Sequence, residues 1–132
     1  MPACSVIPVL AYPDVPAAVD WLCRAFGFEL RLRIGAHRAQ LAHGDGALVV
    51  AARAADAPAP AGMSVMLRVA DADVHCARSR AHGAVIVAAP ADFPYGERQY
   101  SALDPAGHAW TFSQTLADVD PASWGGEPGA AR

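Results

Sequence analysis

The chain has 132 residues, a length that suits one domain with a buried core. Apolar residues make up 54% of it and charged residues 17%, a balance that excludes a disordered chain. The net charge of −3, without a Lys/Arg cluster, predicts no nucleic-acid surface, and no apolar run is long enough to span a membrane. The first residues lack the pattern of a signal peptide, so we expect a cytoplasmic protein. Its three cysteines are expected to be reduced thiols, with a catalytic cysteine as the alternative.

The first half of the chain predicts one strand, one helix and three further strands. Ile7–Tyr12 is a short apolar run. Apolar residues then recur at helical spacing from Val15 to Phe26, between a capping residue, Asp14, and a stop, Gly27. Three extended stretches follow, at 29–34, 37–43 and 46–52.

The second half repeats this order with a period of about 60 residues. A strand at Met63–Val69 precedes a helix that Asp71 caps and Gly83 ends, and extended stretches follow at 84–89, 97–103 and 108–114. The repeat predicts an α+β chain of two βαβββ modules. We expect one domain over 1–132: module one at about 5–52, an Ala/Pro-rich linker at 53–62, module two at about 63–115 and a tail at 116–132 carrying Trp124.

The turn of each hairpin predicts which residues share a face of the sheet. In the first hairpin, the two-residue turn Gly44-Asp45 pairs Leu41 with Leu48 on the core face. Arg38 and Gln40 then lie on the other face, together with Ala47, Val49 and Ala51.

In the second hairpin, Asp104-Pro105-Ala106-Gly107 is interpreted as a four-residue loop. The predicted pairs are Leu103 with His108, Ala102 with Ala109, Tyr100 with Thr111 and Arg98 with Ser113. Trp110 and Phe112 then face the core. Arg98, Tyr100 and Thr111 face the cavity.

Arg98 and Tyr100 are therefore the leading candidates for a functional site. An arginine in a cavity holds a carboxylate or phosphate through two hydrogen bonds, and a tyrosine orients or protonates a substrate, which makes Tyr100 the best catalytic candidate. Arg38 and Gln40 occupy the equivalent positions in the first module, and Arg68 shares its face with Ser64. The alternative is structural: Arg98 pairs with a helix end and Tyr100 fills the core. Tyr95 either gates the mouth of the cavity or anchors its loop.

Small side chains on the predicted cavity face leave room for a ligand. They are Val9, Ala11, Ala47, Val49, Ala51, Ala102, Ala109 and Ser113. The alternative is that alanine is simply abundant in this chain because its gene is rich in GC.

Three motifs in this order resemble the vicinal oxygen chelate superfamily, which includes glyoxalase I, extradiol dioxygenases and the bleomycin-resistance proteins. They are Pro13-Asp14 after the first strand, FGF at 26–28, and DPAGHAW at 104–110. The stretch from Tyr95, YGER followed by DPAGHAWTF, is most similar to the glyoxalase/bleomycin-resistance branch. The likeness extends from Val6 to about Gln114. It implies an α+β fold in which the curved, barrel-like sheets of the two βαβββ modules surround a cavity, and it implies a homodimer.

The resemblance also implies metal-ligand positions on the first, fourth, fifth and eighth strands. By register they fall at Ile7, Val49, Ser64 and Thr111. The first two cannot ligate a cation, and the hydroxyls of Ser64 and Thr111 are poor ligands for a divalent metal. We therefore expect no metal and no other cofactor.

Two functions remain open from the sequence. One is binding of a small molecule in the cavity, for example to sequester a drug. The other is a metal-free isomerase, lyase or transferase that acts on a small polar or anionic metabolite, with Tyr100 as acid or base and Arg98 as anchor. Binding is favoured, because no carboxylate or histidine clearly faces the cavity to act as a base. The predicted register places Glu97 on the opposite face of the sheet from Arg98. The expected partners are a small molecule and a second copy of the chain, with no nucleic acid and no membrane.

Overall fold

A computed structural model describes residues 4–58 and 61–129. The first module contains β1 (Val9–Tyr12), α1 (Val15–Phe26), β2 (Glu29–Ile34), β3 (Arg38–His43) and β4 (Gly46–Ala52). The second contains β5 (Ser64–Arg68), α2 (Ala72–Ala81), β6 (Val85–Phe93), β7 (Glu97–Leu103) and β8 (Ala109–Thr115), followed by a 3₁₀ turn, Pro121–Trp124. Among the described residues, no helix is long and apolar enough to cross a membrane.

The helices begin where their capping residues predict. The Asp14 carboxylate accepts a hydrogen bond from the backbone N–H of Ala17, and α1 ends at Gly27, whose φ of 83° suits glycine. Asp71 caps α2 in the same way through the N–H of Val74. The helix ends one residue before the predicted stop, because His82 rather than Gly83 is its C-cap residue.

Each module forms one curved four-stranded sheet, in the order β1-β4-β3-β2 and β5-β8-β7-β6. In each sheet, the first strand of the module pairs in parallel with the last one, β1 with β4 and β5 with β8. The hairpin pairs, β3 with β4 and β7 with β8, are antiparallel. Bulges interrupt the β2–β3 and β6–β7 ladders. This confirms the predicted α+β fold of two βαβββ modules.

Both modules contribute to one hydrophobic core between the sheets and the helices. α1 contacts the first sheet, α2 contacts the second, and the two helices contact each other. Phe26, at the end of α1, lies within ring-stacking distance of Trp110 and Phe112 of β8, at 5.2 Å and 4.7 Å between ring centroids. All three rings are fully buried, so the second module completes the packing of the first.

Side chains of α2 also satisfy the open carbonyl groups at the end of α1. Arg78 donates to the carbonyl oxygens of Arg24, at 2.7 Å, and Cys23, at 3.2 Å. The Nε2 of His75 lies 2.9 Å from the carbonyl oxygen of Phe26. These carbonyls have no partner within their own helix, so the contacts join the modules at a point where α1 would otherwise be incomplete.

A second joint is the carboxylate of Asp104, which is 4% exposed. One of its oxygens accepts hydrogen bonds from the Tyr12 hydroxyl of the first module, at 2.6 Å, and from the Trp110 indole, at 3.1 Å. The other oxygen accepts from the backbone N–H groups of Ala106 and His108, both at 3.0 Å. The arrangement holds a charge inside the protein because four donors surround it.

The predicted register of the first hairpin is confirmed: Leu41 pairs with Leu48, Gln40 with Val49 and Arg38 with Ala51. The predicted register of the second hairpin is wrong by one residue. Leu103 pairs with Ala109 rather than His108, and Tyr100 pairs with Phe112 rather than Thr111.

The cause of the shift is the turn at Asp104. The Asp104 N–H donates to the His108 carbonyl oxygen, at 3.0 Å, so Asp104 belongs to the ladder and the loop has three residues, not four. Gly107 closes it with a φ of 89°, as in a type I turn followed by a bulge. Because side chains alternate between faces, this single residue moves the β7 side chains to the opposite face from the predicted one.

Replacing the buried carboxylate should destabilise the whole chain. We expect Asp104→Ala to lower the free energy of unfolding by about 3 kcal/mol or more, because it leaves buried donors without an acceptor. Urea denaturation measures the change. The control is Asp20→Ala, which removes an exposed ion pair with Arg24 and should cost less than about 1 kcal/mol. Equal losses in the two variants would contradict the role of Asp104 as a joint.

His75 should make stability depend on pH. Burial lowers the pKa of its imidazole below the ordinary value, and the Phe26 carbonyl only partly opposes this effect. Since the unfolded chain then binds a proton more readily than the folded protein, stability should be full above pH 7 and fall as the pH drops through about 6.5 and below. We expect His75→Gln to flatten this part of the profile, as measured by urea denaturation between pH 7.5 and 5. An unchanged slope in the variant would show that other groups cause it.

Candidate functional site

Each sheet has one face turned away from the helices, which we call its open face. On the first sheet, the open face is mostly apolar: Val9, Ala11, Leu32, Ile34, Ala47, Val49 and Ala51. Arg38 and Gln40 of β3 lie among these side chains. Ile34 at 46% exposure and Val9 at 58% are accessible in a single chain, whereas Val49 at 4% and Gln40 at 8% are buried.

The open face of the second sheet is polar, and its side chains form a row of directed hydrogen bonds. The Tyr95 hydroxyl donates to Gln99 Oε1 at 2.9 Å, and Gln99 Nε2 donates to Ser113 Oγ at 3.0 Å. Ser113 Oγ then donates to Glu97 Oε1 at 2.7 Å. Arg68 reaches the same carboxylate oxygen, at 3.2 Å, from β5. We call Tyr95, Gln99, Ser113, Glu97 and Arg68 the polar row. Its hydrogen bonds form a chain that ends at the carboxylate of Glu97.

Two further contacts extend the polar row. Arg68 also donates to the hydroxyl of Thr115. Ser101 and Thr111 face each other across β7 and β8 with their hydroxyl oxygens 3.0 Å apart. The Arg68 side chain is 70% exposed, whereas that of Glu97 is 15% exposed. Glu97 is therefore the mostly buried acceptor of the row, while most of the Arg68 side chain faces solvent.

The surroundings of Glu97 keep it ionised. Burial by itself raises the pKa of the carboxyl, but the hydrogen bonds from Ser113 and Thr115 and the charge of Arg68 outweigh burial, so that the pKa lies below its ordinary value. An ionised carboxylate with these partners is a fixed acceptor and a weak base.

Arg98 lies on the other face of the second sheet, towards α2. Its guanidinium pairs with Asp92 of β6, at 2.6 Å, and with Asp73 in the first turn of α2, at 2.8 Å. The hydrogen bonds and charge of Asp92 raise the pKa of Arg98, and Arg98 in turn lowers that of Asp92. The predicted cavity-face placement of Arg98 is wrong, because the register on which it depended is shifted by one residue.

Tyr100 also lies on the core side, at 1% exposure. Its hydroxyl is 2.7 Å from Ser79 Oγ and is hydrogen-bonded to His75 Nδ1, both on α2, and its ring stacks on Phe112. Burial raises the pKa of the phenol. The predicted placement of Tyr100 beside a ligand is wrong for the same reason as that of Arg98. The structural alternative, in which Tyr100 fills the core, describes what is observed.

Four of the predicted ligand-binding residues have open-face positions. Thr111 and Arg68 belong to the polar row of the second sheet, and Arg38 and Gln40 to the apolar face of the first. Ser113 was predicted on this face together with Thr111, but Glu97, Gln99 and Ser101 were not. The signal was present: Pro105 after Asp104 and Gly107 as the third loop residue are typical of the three-residue turn, which gives the observed register.

The four positions at which the resemblance implies metal ligands do not form a ligand set. Val49 pairs with Val9, and Ser64 and Thr111 offer only neutral hydroxyls. No group of three or more His, Cys, Asp or Glu side chains that could hold a metal ion occurs within residues 4–58 and 61–129. The residues present do not fit a divalent metal at this site.

Several cavities among the described residues lie near the boundary between the modules. Two of about 170 and 190 Å³ border β5, the first against β1 and the second against β4. A larger one of about 310 Å³ lies on the helix side, where Tyr12, Ala18 and Trp21 meet Pro105 and Ala106. Its walls are apolar, and it is separate from the polar row.

Comparison with solved structures gives both fold and sequence likeness. TioX from Micromonospora sp. ML1 is 37% identical, with a TM-score of 0.69 over 89% of this chain and 100% of that one. TnmS3, described as an antibiotic binding protein from Streptomyces sp. CB03234, is 28% identical, with a TM-score of 0.66 over 86% of this chain and 98% of that one. A family enzyme from Burkholderia phytofirmans PsJN, 19% identical with a TM-score of 0.71 over 82% of this chain and 95% of that one, shares the fold.

A comparison with curated protein sequences found no significant match. A family model does match most of the chain, over residues 6–112. Together with the two βαβββ modules and the 37% identity to TioX, this match establishes that the chain belongs to the glyoxalase/bleomycin resistance protein/dioxygenase superfamily.

Proposed function

We propose that the chain is a cytoplasmic protein that binds and sequesters a small molecule, as bleomycin-resistance proteins do, without the metal site of the superfamily. The ligand lies between the open face of the second sheet in one chain and the open face of the first sheet in a second copy. The observation that carries the proposal is the polar row on one open face and the apolar surface on the other. TnmS3, which is described as an antibiotic binding protein, supports an antibiotic as the kind of ligand.

The two faces together suit an amphipathic ligand. The polar row offers the exposed guanidinium of Arg68 and the hydroxyls of Ser101 and Thr111. The first sheet offers Val9, Ile34 and small alanines as an apolar wall. Binding sites for small molecules commonly combine such an apolar surface with a few polar groups that fix orientation.

Binding is favoured over the alternative of a metal-free isomerase, lyase or transferase. A general base needs a pKa near the working pH. Glu97 has a lowered pKa and is held by Ser113 and Arg68. Tyr100, the acid or base in that alternative, is buried against α2 with a raised pKa. Neither group supplies the proton transfer that the enzymatic alternative requires.

The second copy is part of the proposal because a single chain leaves both open faces exposed. Met66 at 60% and Val85 at 60% on the second sheet add to the exposed apolar surface of the first. Surface of this kind is typical of an interface rather than of a monomer in water. The unpaired edge strands β2 and β6 also favour association.

A thermal-shift screen of antibiotics and small metabolites tests the function. We expect a hit that stabilises the protein, by about 2.7 kcal/mol at a concentration 100 times its dissociation constant, and that is recovered unchanged after incubation. Mass spectrometry of the incubated ligand measures turnover. Chemical conversion of the hit would favour the enzymatic alternative instead.

The two arginines of the second module form a matched pair of variants. With an anionic ligand from the screen, Arg68→Met should weaken binding by about 1.5–3 kcal/mol, the range for a charge-assisted hydrogen bond. Folding should remain nearly unchanged, because the methionine keeps most of the apolar stem and Glu97 still accepts the hydrogen bond from Ser113. Arg98→Met should lower stability, since it leaves Asp73 and Asp92 unpaired, and should not change the affinity of the folded protein. Titration calorimetry and urea denaturation measure the two effects, and the reverse assignment would contradict the proposed site.

The dimer is tested by light scattering at micromolar concentration. The expected mass is twice the 13.7 kDa of the chain. Val85→Glu, on the open face, should produce a monomer by placing a charge in the interface. Val74→Glu is the control, since Val74 is 65% exposed on α2 and away from both open faces. A wild-type monomer would contradict the shared site.

A further inference from the structure

The segment after β8 crosses back over the turn between β6 and β7. The N–H groups of Leu116 and Ala117 both donate to the carbonyl oxygen of Gly96, at 2.8 Å and 3.2 Å. A Cβ atom on residue 96 would lie 2.2 Å from the Ala117 carbonyl oxygen, and the φ of Gly96 is +83°. The crossing is therefore specific to glycine at this position.

The same segment places Trp124 beside the turn. Asp120 caps the 3₁₀ turn Pro121–Trp124, and the Gly126 N–H donates to the Pro121 carbonyl oxygen at 2.7 Å. The Trp124 ring meets that of Tyr95 edge to face, with centroids 5.5 Å apart and an angle of 67°. Trp124 is 41% exposed, so much of its ring is accessible to another molecule.

Tyr95 connects Trp124 to the polar row. Its ring lies parallel to that of Phe93, with centroids 5.4 Å apart and an angle of 10°, while its hydroxyl donates to Gln99. Phe93 pairs with Glu97 across β6 and β7 and is 40% exposed. Phe93, Tyr95 and Trp124 thus form an aromatic wall at the end of the polar row where β7 begins.

We infer that this aromatic wall binds a flat aromatic ring of the ligand, and that Trp124 determines specificity for such a ring. The inference rests on the proposed function of the open faces and names the ligand class for that site. Trp124 lies in the C-terminal segment, outside residues 6–112, which the family model matches.

The geometry favours a flat ring over a saturated one of equal size. Aromatic rings gain about 0.5–1.5 kcal/mol beyond burial when they stack or meet edge to face, and a saturated ring has no such contribution. The exposed parts of Phe93 and Trp124 offer such contacts beside Gln99. A ring on the wall can therefore extend its polar groups along the row towards Arg68.

Two carboxylates of matched size and charge test the inference: naphthalene-2-carboxylate and its saturated counterpart, decahydronaphthalene-2-carboxylate. We expect the wild-type protein to bind the aromatic probe more tightly in titration calorimetry. Trp124→Ala should reduce this preference about two- to tenfold and leave the affinity for the saturated probe within about twofold. Trp124→Phe should retain most of the preference, because a phenyl ring still stacks.

Gly96→Ala supplies a second route to the same result. Its Cβ displaces the segment at Ala117, so it should weaken the aromatic probe as Trp124→Ala does, and the double variant should lose no more than either single variant. Leu116→Ala, in the same segment but outside the aromatic wall, is the control and should bind both probes like the wild type. Urea denaturation confirms that each variant is folded.

Four results would overturn the inference. Two concern the wild-type protein: equal affinity for the two probes, or no binding of either. Two concern Trp124→Ala: equal loss of affinity for both probes, or no loss. Arg68→Met separates this inference from the proposed function, since it should weaken both probes equally. If only Trp124→Ala is without effect, the inference fails alone. If Arg68→Met is also without effect on bound probe, the open-face site fails with it.

Discussion

The carboxylate of Asp104 is the interaction on which the site depends. It accepts hydrogen bonds from its own turn, at Ala106 and His108, and from Tyr12 of the other module. The hydrogen bonds within the turn make Asp104 part of the β7–β8 ladder and shorten the loop to three residues. This sets the register of β7 on β8. That register selects Glu97, Gln99 and Ser101 for the open face and sends Arg98 and Tyr100 to the core side. One buried charge therefore determines both how the modules meet and which chemistry the second sheet presents.

The two modules differ in the side chains of their open faces. The helix-facing sides retain a similar plan, with large apolar residues packed on each helix. The first open face has aliphatic side chains around Arg38 and Gln40, whereas the second has hydrogen-bonding side chains on three strands. A fold of two equal modules can thus supply one apolar and one polar wall, provided that the walls of different copies meet.

The fold could be predicted from the sequence because the features that define its helices and its first hairpin lie close together in the chain. Aspartate caps and glycine stops define both helices, and the Gly44-Asp45 turn fixes the first hairpin and the positions of Arg38 and Gln40. The second hairpin was wrong by one residue, since its register depends on hydrogen bonds that the Asp104 side chain makes within the turn. The position of Trp124 had no local signal, because it depends on a crossing at Gly96, which is 28 residues earlier in the chain (124 − 96).

The end of α1 makes the first module depend on the second. The carbonyl groups of Cys23, Arg24 and Phe26 find their donors, Arg78 and His75, in the other half of the chain. A lone βαβββ unit would leave these groups to water and would expose the ring of Phe26. The first module is therefore complete only beside a second one, which supplies the donors for the last turn of its helix and the cover for its terminal ring.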